Sequence, residues 1–455
     1  MRLLAKLIAL LTVSLAVGCG SDDEPKEQPK ACDPVAQTGC DTGQVCELGP
    51  GQGPACYAPV SIQGKVFDAY DASPVEGAHV VARDPNDAVI SSVAISDKDG
   101  NYDLRVPAPR DANGKPVSTS YTLRADASGY LTFPKAPRIA LPVDISTASG
   151  DPLVVKSVAT DIGLVPLENA AGLGSISGKV LAKNPGGTLV VAGGVTGTAD
   201  TEGDYTVFNV PAGSVEVRGY LAGVNLETKS ADVKAGETTG DVDLGVLSDS
   251  TATVSGKVEI VNAPGGADTS VILVVEDTFV ENAARGEAPA GLRAEHVSGD
   301  FSIPGVPDGK YVVLAAFEND GLVRDPDTSI GGTEIVHITV AGDSVPIAQG
   351  FKVTGALAVY SPDGGDTVSG MPTFSFEDDS SEDSYTVQVF DVLGNEVWKK
   401  EGFVGPKGNK PVDVPFDGDL ASFESGKFYQ FRATSIKDGV PISATEDLKG
   451  VFVYQ

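Results

Sequence analysis

Apolar residues in this chain come in short bursts, mostly at alternate positions, and Gly, Pro, Asp or Asn closes each burst. Tyr385, Val387 and Val389 share one side of such a segment, and Tyr429, Phe431 and Ala433 share one side of another. A period of two puts these residues on one face of a strand. No stretch keeps a helical period for long. The nearest, residues 279–285, predicts a short helix inside an insertion. The pattern therefore predicts an all-β protein of short strands and tight turns.

The pattern also repeats. Three strands open alike: Ser61-Ile62-Gln63-Gly64-Lys65-Val66, Ser175-Ile176-Ser177-Gly178-Lys179-Val180 and Thr253-Val254-Ser255-Gly256-Lys257-Val258. Downstream of each lies a glycine, a small polar residue and an aromatic: Gly100-Asn101-Tyr102, Gly203-Asp204-Tyr205 and Gly299-Asp300-Phe301. Val106-Pro107, Val210-Pro211 and Val306-Pro307 then end the strand, because proline donates no ladder hydrogen bond. The Gly-Asn/Asp pair suits a tight hairpin, so Gly100, Gly203 and Gly299 are expected at equivalent turns. Closing strands match as well, with Asp161-Ile162-Gly163-Leu164 against Asp243-Leu244-Gly245-Val246.

These repeats divide the chain into sandwiches over residues 60–167, 174–248 and 252–353, with a fourth, different one over 356–455. A length of 455 residues accommodates them at ordinary domain sizes. Charge narrows the possible partners. Against 63 Asp+Glu stand 33 Lys+Arg, a net −30, which repels nucleic acid and weakens any polybasic grip on anionic lipid. A well-solvated surface is the simplest reading of that charge.

The N-terminus carries an address. Arg2 and Lys6 precede an apolar run from Leu7 to Val17, too short to span a bilayer but suited to a signal-peptide core. Small residues and Cys19 follow. Residues 1–18 therefore read as a signal peptide and residues 19–31, polar and aperiodic, as a flexible tether of at most ~45 Å. Leu15-Ala16-Val17-Gly18-Cys19 resembles the bacterial lipoprotein signal, with Ala16 in the place usually held by leucine. Ala16 and Gly18 also suit an ordinary signal peptidase. The resemblance implies acylation of Cys19, a membrane contact through the lipid, and, with Gly20 next, the outer membrane or cell surface of a Gram-negative bacterium.

Cysteine counting agrees with that address. Beyond Cys19 the chain has Cys32, Cys40, Cys46 and Cys56, all within residues 32–59. That segment is too poor in apolar residues to hold itself by burial, and two disulfides are the usual remedy outside the cytoplasm. Three pairings are open. A four-cysteine zinc site is the rival reading, but it favours close C-x2-C pairs and reducing compartments.

The first sandwich carries Gly64-Lys65-Val66, Pro74-Val75-Glu76-Gly77-Ala78-His79-Val80, Asp97-Lys98-Asp99-Gly100-Asn101-Tyr102 and Gly129-Tyr130. This set resembles the carboxypeptidase regulatory-like domain, a transthyretin-like, immunoglobulin-like sandwich. The second and third copies share its opening strand and its turn. Residues 356–455 resemble a fibronectin type III sandwich. The resemblance implies no activity, since in the enzymes that carry the regulatory-like domain the catalytic domain is a separate one.

Catalytic motifs are missing from the sequence: it has no G-x-S-x-G elbow, H-E-x-x-H, P-loop or dinucleotide fingerprint. Glu76/His79 and Glu334/His337 have metal-like spacing, yet on strands i and i+3 point to opposite faces. Ala78, Val80 and Ala82 fit the core, which leaves His79 outward. The one cofactor candidate is calcium at Asp97, Asp99, Asn101 and Asp103. There the glycine is fourth rather than sixth and Ala108 takes the twelfth place, so a turn explains the same residues. The acidic stretch 377–383 is a second, weaker cation candidate. Trp398 is expected to pack rather than bind.

Together these readings predict a non-enzymatic envelope lipoprotein. Its sandwiches, set in series, would form a stalk or an adhesive surface that displays loops to a protein or glycan. The alternatives are a carbohydrate-binding surface protein and, further off, a hydrolase using an acidic pair among the many carboxylates.

Overall fold

The computed structural model describes residues 32–455 apart from 35–37, 50–52, 86–87, 135–139, 264–267, 317–320, 328–333 and 407–409. The signal peptide, Cys19 and the tether lie outside the described residues. The chain is all-β, and its only helical pieces among the described residues are three-residue 3-10 turns.

Three sandwiches share the pairing of their central strands, although in the second the two layers join into one continuous sheet where Val224–Leu226 pairs with Leu244–Ser248. Their opening strands, Val60–Asp68, Leu173–Leu181 and Ala252–Val261, are central strands. Each pairs antiparallel with the strand that follows the glycine turn: Asn101–Val106, Asp204–Pro211 or Asp300–Val306. Each also pairs in parallel with its closing strand, with Val66 opposite Ile162, Val180 opposite Leu244 and Val258 opposite Phe351. Strands His79–Arg83 with Ser120–Asp126, Leu189–Ala192 with Gly213–Leu221, and Thr269–Val275 with Gly309–Ala315 build the facing layers.

The shared Gly-Lys-Val motif has a steric cause. A Cβ on Gly64 would run into the Thr160 carbonyl and the Tyr102 hydroxyl, and one on Gly178 into the Val242 carbonyl. The tyrosine after the turn donates to that same carbonyl, Tyr102 to Thr160 O at 2.6 Å and Tyr205 to Val242 O at 2.5 Å. The Lys65 and Lys179 amides donate to Asp161 Oδ1 and Asp243 Oδ1 at 3.0 and 2.9 Å. The third copy departs from this: Phe301 has no hydroxyl, and Gly350 precedes the closing strand where the others have aspartate.

The glycine turn is a corner rather than a simple hairpin. In the first sandwich its two flanking strands, Ala94–Ile95 and Asn101–Val106, belong to opposite sheets, and in the second Val195–Thr198 and Asp204–Pro211 lie at the two ends of one continuous sheet. The chain must cross to the other layer here so that Tyr102 or Tyr205 can reach the opening strand from inside. Val66, Val180 and Val258 each donate to the carbonyl of Gly100, Gly203 or Gly299 at 2.8 Å. Gly100 and Gly203 need their left-handed φ of 77° and 89°. In the third copy the left-handed residue is His296, φ 54°, and only Ser298 and Gly299 separate the strands.

The fourth sandwich sets strands Val359–Ser361, Thr373–Phe376 and Val412–Pro415 against a second sheet. That sheet runs Val451–Tyr454, Phe428–Lys437, Ser384–Asp391, Glu396–Phe403. Phe374, Phe376, Tyr385, Phe431 and Phe452 fill the core between them. Trp398 packs on Phe374 and Phe416 and donates its indole N–H to Asp417.

The sandwiches do not simply follow one another in line. Leu189-Val190-Val191-Ala192 is buried on both faces: Val190 and Ala192 enter the second core, while Leu189, Val191 and Tyr220 belong to the third. The first sandwich touches the second, the third and the fourth. This departs from the stalk in series expected above, and its cause lies in charges buried on the outer face of the first sandwich.

Candidate functional site

The central feature is an insertion in the third sandwich. After strand Thr269–Val275 the chain makes two 3-10 turns, Glu276–Thr278 and Glu281–Ala283, where the pattern predicted a short helix. Phe279 and Ala288 lie over the outer face of the sheet, on Ile272, Val274, Val312 and Leu314. The Glu287 amide donates to Thr278 Oγ1, and Val275 donates to the Glu287 carbonyl. These bonds hold Glu287 toward the first sandwich.

Arg124 is fully buried. Its Nε and Nη2 donate to Asp126 at 2.7 and 3.1 Å, its Nη1 to Glu287 Oε2 at 2.5 Å and its Nη2 to Thr196 Oγ1 at 2.6 Å. One guanidinium thus ties the first sandwich to the second and third. Arg83, equally secluded, pairs with the same Glu287 carboxylate, and Arg293 of the third sandwich pairs with Asp84 of the first. Arg293 also pairs with the exposed Glu295, so three guanidiniums meet four carboxylates, of which Asp84, Asp126 and Glu287 lie in the secluded part of the junction. Buried charges persist only when paired in this way. The insertion also reaches the fourth sandwich, where Arg285 pairs with Asp447.

The first and second sandwiches meet at His79 and Asn209. His79 packs edge-on against Phe208 with ring centroids 5.0 Å apart. Burial pushes its pKa down, partly offset by Asp126 and Asp200. The expectation that His79 points away from its own core holds, but it faces a neighbouring sandwich rather than water. Asn209, at φ 60°, donates from Nδ2 to the carbonyls of Ala127 and Tyr130 and accepts from Gly129 N.

The cysteine-rich segment is a hairpin, Val45–Gly49 with Gly53–Tyr57, that places Cys46 opposite Cys56. Its disulfides join Cys32 to Cys46 and Cys40 to Cys56. Sulfurs of Cys32, Cys40 and Cys56 lie within 4.8 Å of one another, but as disulfides they offer no thiolate to a metal. The segment is docked on the first sandwich. Glu47 accepts from Arg110 Nε at 2.6 Å and from Ala108 N at 3.0 Å, and Arg110 lies over the Tyr57 ring. Burial raises the Glu47 pKa against the opposing pull of Arg110.

Asp97, Asp99 and Asn101 come together as a turn, whereas Asp103 lies within strand Asn101–Val106, opposite Gln63. Asp97 Oδ1 accepts from the amides of Asp99 and Asn101 at 2.9 and 2.8 Å. Those hydrogen bonds hold its carboxyl below the usual range. Asp99 pairs with Lys98, and Asp103 accepts from Gln63. Asp200 and Asp391 cap the same kind of turn. In the acidic stretch, Asp378 accepts from the Tyr385 hydroxyl and Asp379 from Ser435. His296 and His337 pair separately with Asp268 and Glu276, so the spaced Glu334 is not the partner of His337.

Sequence reasoning missed Arg83, Asp84, Arg124, Asp126, Glu287 and Arg293. The available signal was arginine and aspartate within otherwise apolar strands, at Ala82-Arg83-Asp84 and Leu123-Arg124-Ala125-Asp126.

No family model matches the chain, and no curated protein matches it. Among solved structures it is similar to the Bacillus anthracis TIE protein, at 13% identity over 84% of this chain and 68% of that one, TM-score 0.15. It is also similar to a DUF3823 family protein from Bacteroides ovatus, at 12% identity over 44% and 98% of the two chains, TM-score 0.22. A tetra-tandem repeat from the extending region of a large adhesion protein shows 15% identity over 88% and 100%, TM-score 0.16. At such TM-scores these likenesses carry no argument about arrangement or function. The immunoglobulin-like sandwich fold rests on the strand order above.

Proposed function

We propose that this chain is an exported lipoprotein that works by binding and display rather than by turnover. The observation that carries the proposal is the pair of disulfides in the segment next to the N-terminal tether. Disulfides belong to oxidising compartments. With Cys32, Cys40, Cys46 and Cys56 so engaged, Cys19 remains as the acceptor for a lipid. No described helix is long and apolar enough to cross a membrane, and acyl chains would supply the attachment at ~0.8 kcal/mol per buried CH₂.

Two further readings belong to this proposal. The first three sandwiches are carboxypeptidase regulatory-like modules, a reading supported by their common central-strand pairing and Gly-Lys-Val packing. The last is fibronectin type III-like, supported by its three-stranded sheet facing a sheet in the order Val451–Tyr454, Phe428–Lys437, Ser384–Asp391, Glu396–Phe403. Display would use the loops at sandwich ends, which are the natural contact surface of such folds.

Metabolic labelling with a fatty-acid probe tests the anchor. The wild type is expected to label and Cys19→Ser is not; equal labelling refutes it. A screen on peptide, ester and glycoside substrates tests the rest. Turnover that a single Asp or Glu replacement abolishes would refute the non-catalytic reading.

A further inference from the structure

The third sandwich buries a lysine. Lys352 lies in the closing strand Phe351–Gly355, and the Asp325 amide donates to its carbonyl at 3.1 Å from the neighbouring strand end. Phe351 and Val353 enter the core, so Lys352 stands on the other face of the strand. Its side chain is nonetheless only 2% exposed, and that of Asp325 only 5%. In the other described ion pairs every lysine is at least 31% exposed. The other secluded cations, Arg83, Arg110 and Arg124, are arginines. A guanidinium suits a buried ion pair, because its planar fork matches a carboxylate. An amine can do something else: form a bond to carbon.

The surroundings of Lys352 supply what that bond needs. Its Nζ lies 3.1 Å from Asp325 Oδ2, so nucleophile and carboxyl are held in contact, where effective concentrations far exceed those of free reactants. The other carboxyl oxygen, Asp325 Oδ1, accepts from the Asp327 amide at 2.8 Å. That N–H is placed to stabilise negative charge developing on Oδ1. Asp327 brings a second carboxylate, with Oδ2 3.5 Å from Nζ, and its carbonyl accepts from Nζ at 3.1 Å. Nucleophile, electrophile, oxyanion donor and proton carrier thus meet at one point.

We propose that Lys352 and Asp325 condense into an amide, a covalent cross-link between the strands Leu322–Arg324 and Phe351–Gly355. The ammonium first passes a proton along the hydrogen bond to Asp325 Oδ2, leaving an amine and a carboxylic acid. The Nζ lone pair then bonds to Cγ, and Oδ1 takes the negative charge beside the Asp327 amide. The Asp327 carboxylate removes a proton from the nitrogen and returns it to the Oδ2 hydroxyl. The Cγ–Oδ2 bond breaks and a water leaves. One ammonium and one carboxylate become one amide and one water, with no further reactant. The cross-link belongs to the third sandwich alone and does not depend on the anchor or on display.

Peptide mapping of the full chain, after reduction of its disulfides, tests the proposal. Trypsin cuts after Arg324, and the next sites are Lys352 and Lys399. The wild type should give no peptide ending at Lys352. Residues 325–399 should instead appear as one product, lighter than its sequence by one water, with fragmentation placing the loss at Lys352 and Asp325. Lys352→Arg keeps the cation but cannot condense, and should give cleavage at that position and the full mass. Asp327→Asn keeps the amide donor and removes the proton carrier. It should slow condensation about 100-fold, so that freshly purified protein holds an uncondensed fraction absent from the wild type. Cleavage after Lys352 at full mass in the wild type, or a water loss mapped to other residues, would overturn the cross-link whatever the variants do. Equal condensation in Asp327→Asn would overturn the part given to Asp327.

Discussion

Replacing Glu287 by alanine should open the junction on which the fold-back depends. Its carboxylate serves two buried guanidiniums at once, Arg83 and Arg124. After the replacement Arg124 keeps Asp126, through two hydrogen bonds. Arg83 loses its carboxylate, and its Nε already lacks an acceptor among the described residues. Removing one partner of a buried ion pair costs about 3–5 kcal/mol, because the remaining charge stays desolvated. Exposed pairs contribute about 0–1 kcal/mol, so Glu216→Ala, which breaks the open pair with Arg218, serves as the control. Urea unfolding combined with hydrogen exchange at residues 79–83 and 120–126 reads the effect. Glu287→Ala should lower the transition midpoint and deprotect those strands; Glu216→Ala should do neither. The double variant Arg83→Met/Glu287→Leu should recover most of the loss, since it leaves no unpaired charge. A cost below about 0.5 kcal/mol with protection unchanged would refute the reasoning, since a buried pair cannot be broken so cheaply.

Three further outcomes are expected. Gly64→Ala and Gly178→Ala should each destabilise their sandwich by about 3 kcal/mol or more, as strain from overpacking against a carbonyl, measured as a shifted unfolding midpoint, whereas Gly172→Ala, where the added Cβ meets nothing and the backbone is not left-handed, should cost much less. Arg110→Met should release the disulfide hairpin from the first sandwich, at about 3 kcal/mol, and limited proteolysis should then cut near Tyr57 without reduction of the disulfides. Because burial lowers the pKa of His79 in the folded state, the unfolded chain binds the extra proton first as pH falls below about 6.5. Stability should therefore decrease on acidification through that range, down to the folded pKa, and His79→Gln should flatten the dependence.

The sequence made the sandwiches legible because their determinants are local. An alternating strand such as Asn101–Val106 shows its buried face directly, with Tyr102, Leu104 and Val106 inside. Gly64 and Gly178 stand out because nothing larger fits beneath the carbonyls of Thr160 and Val242. The junctions were hidden because their partners lie far apart in the chain, Arg124 and Glu287 being separated by 163 residues. Even so, the apolar run Leu189–Ala192 and the all-buried strand Thr269–Val275 carried a usable sign. Runs without alternation mark strands covered on both faces, and in a chain of small sandwiches the second cover is a neighbouring sandwich or an insertion. The turn aspartates were ambiguous for another reason: Asp97 offers the same oxygens to amides of its own turn as it would to a cation.

The distance between the first and fourth sandwiches tests the account most directly. Tyr70 and Ser425 are both exposed and flank the contact between the Ala69 carbonyl and Lys427. Spin labels on cysteines placed at these two positions should give one narrow distribution centred below about 30 Å, the contact plus a few residue lengths of 3.8 Å. Sandwiches set end to end would put two intervening domains of roughly 33 Å each, ten residues of strand, between the labels. A distribution centred beyond about 60 Å would contradict the folded-back arrangement and, with it, the buried junction built around Glu287.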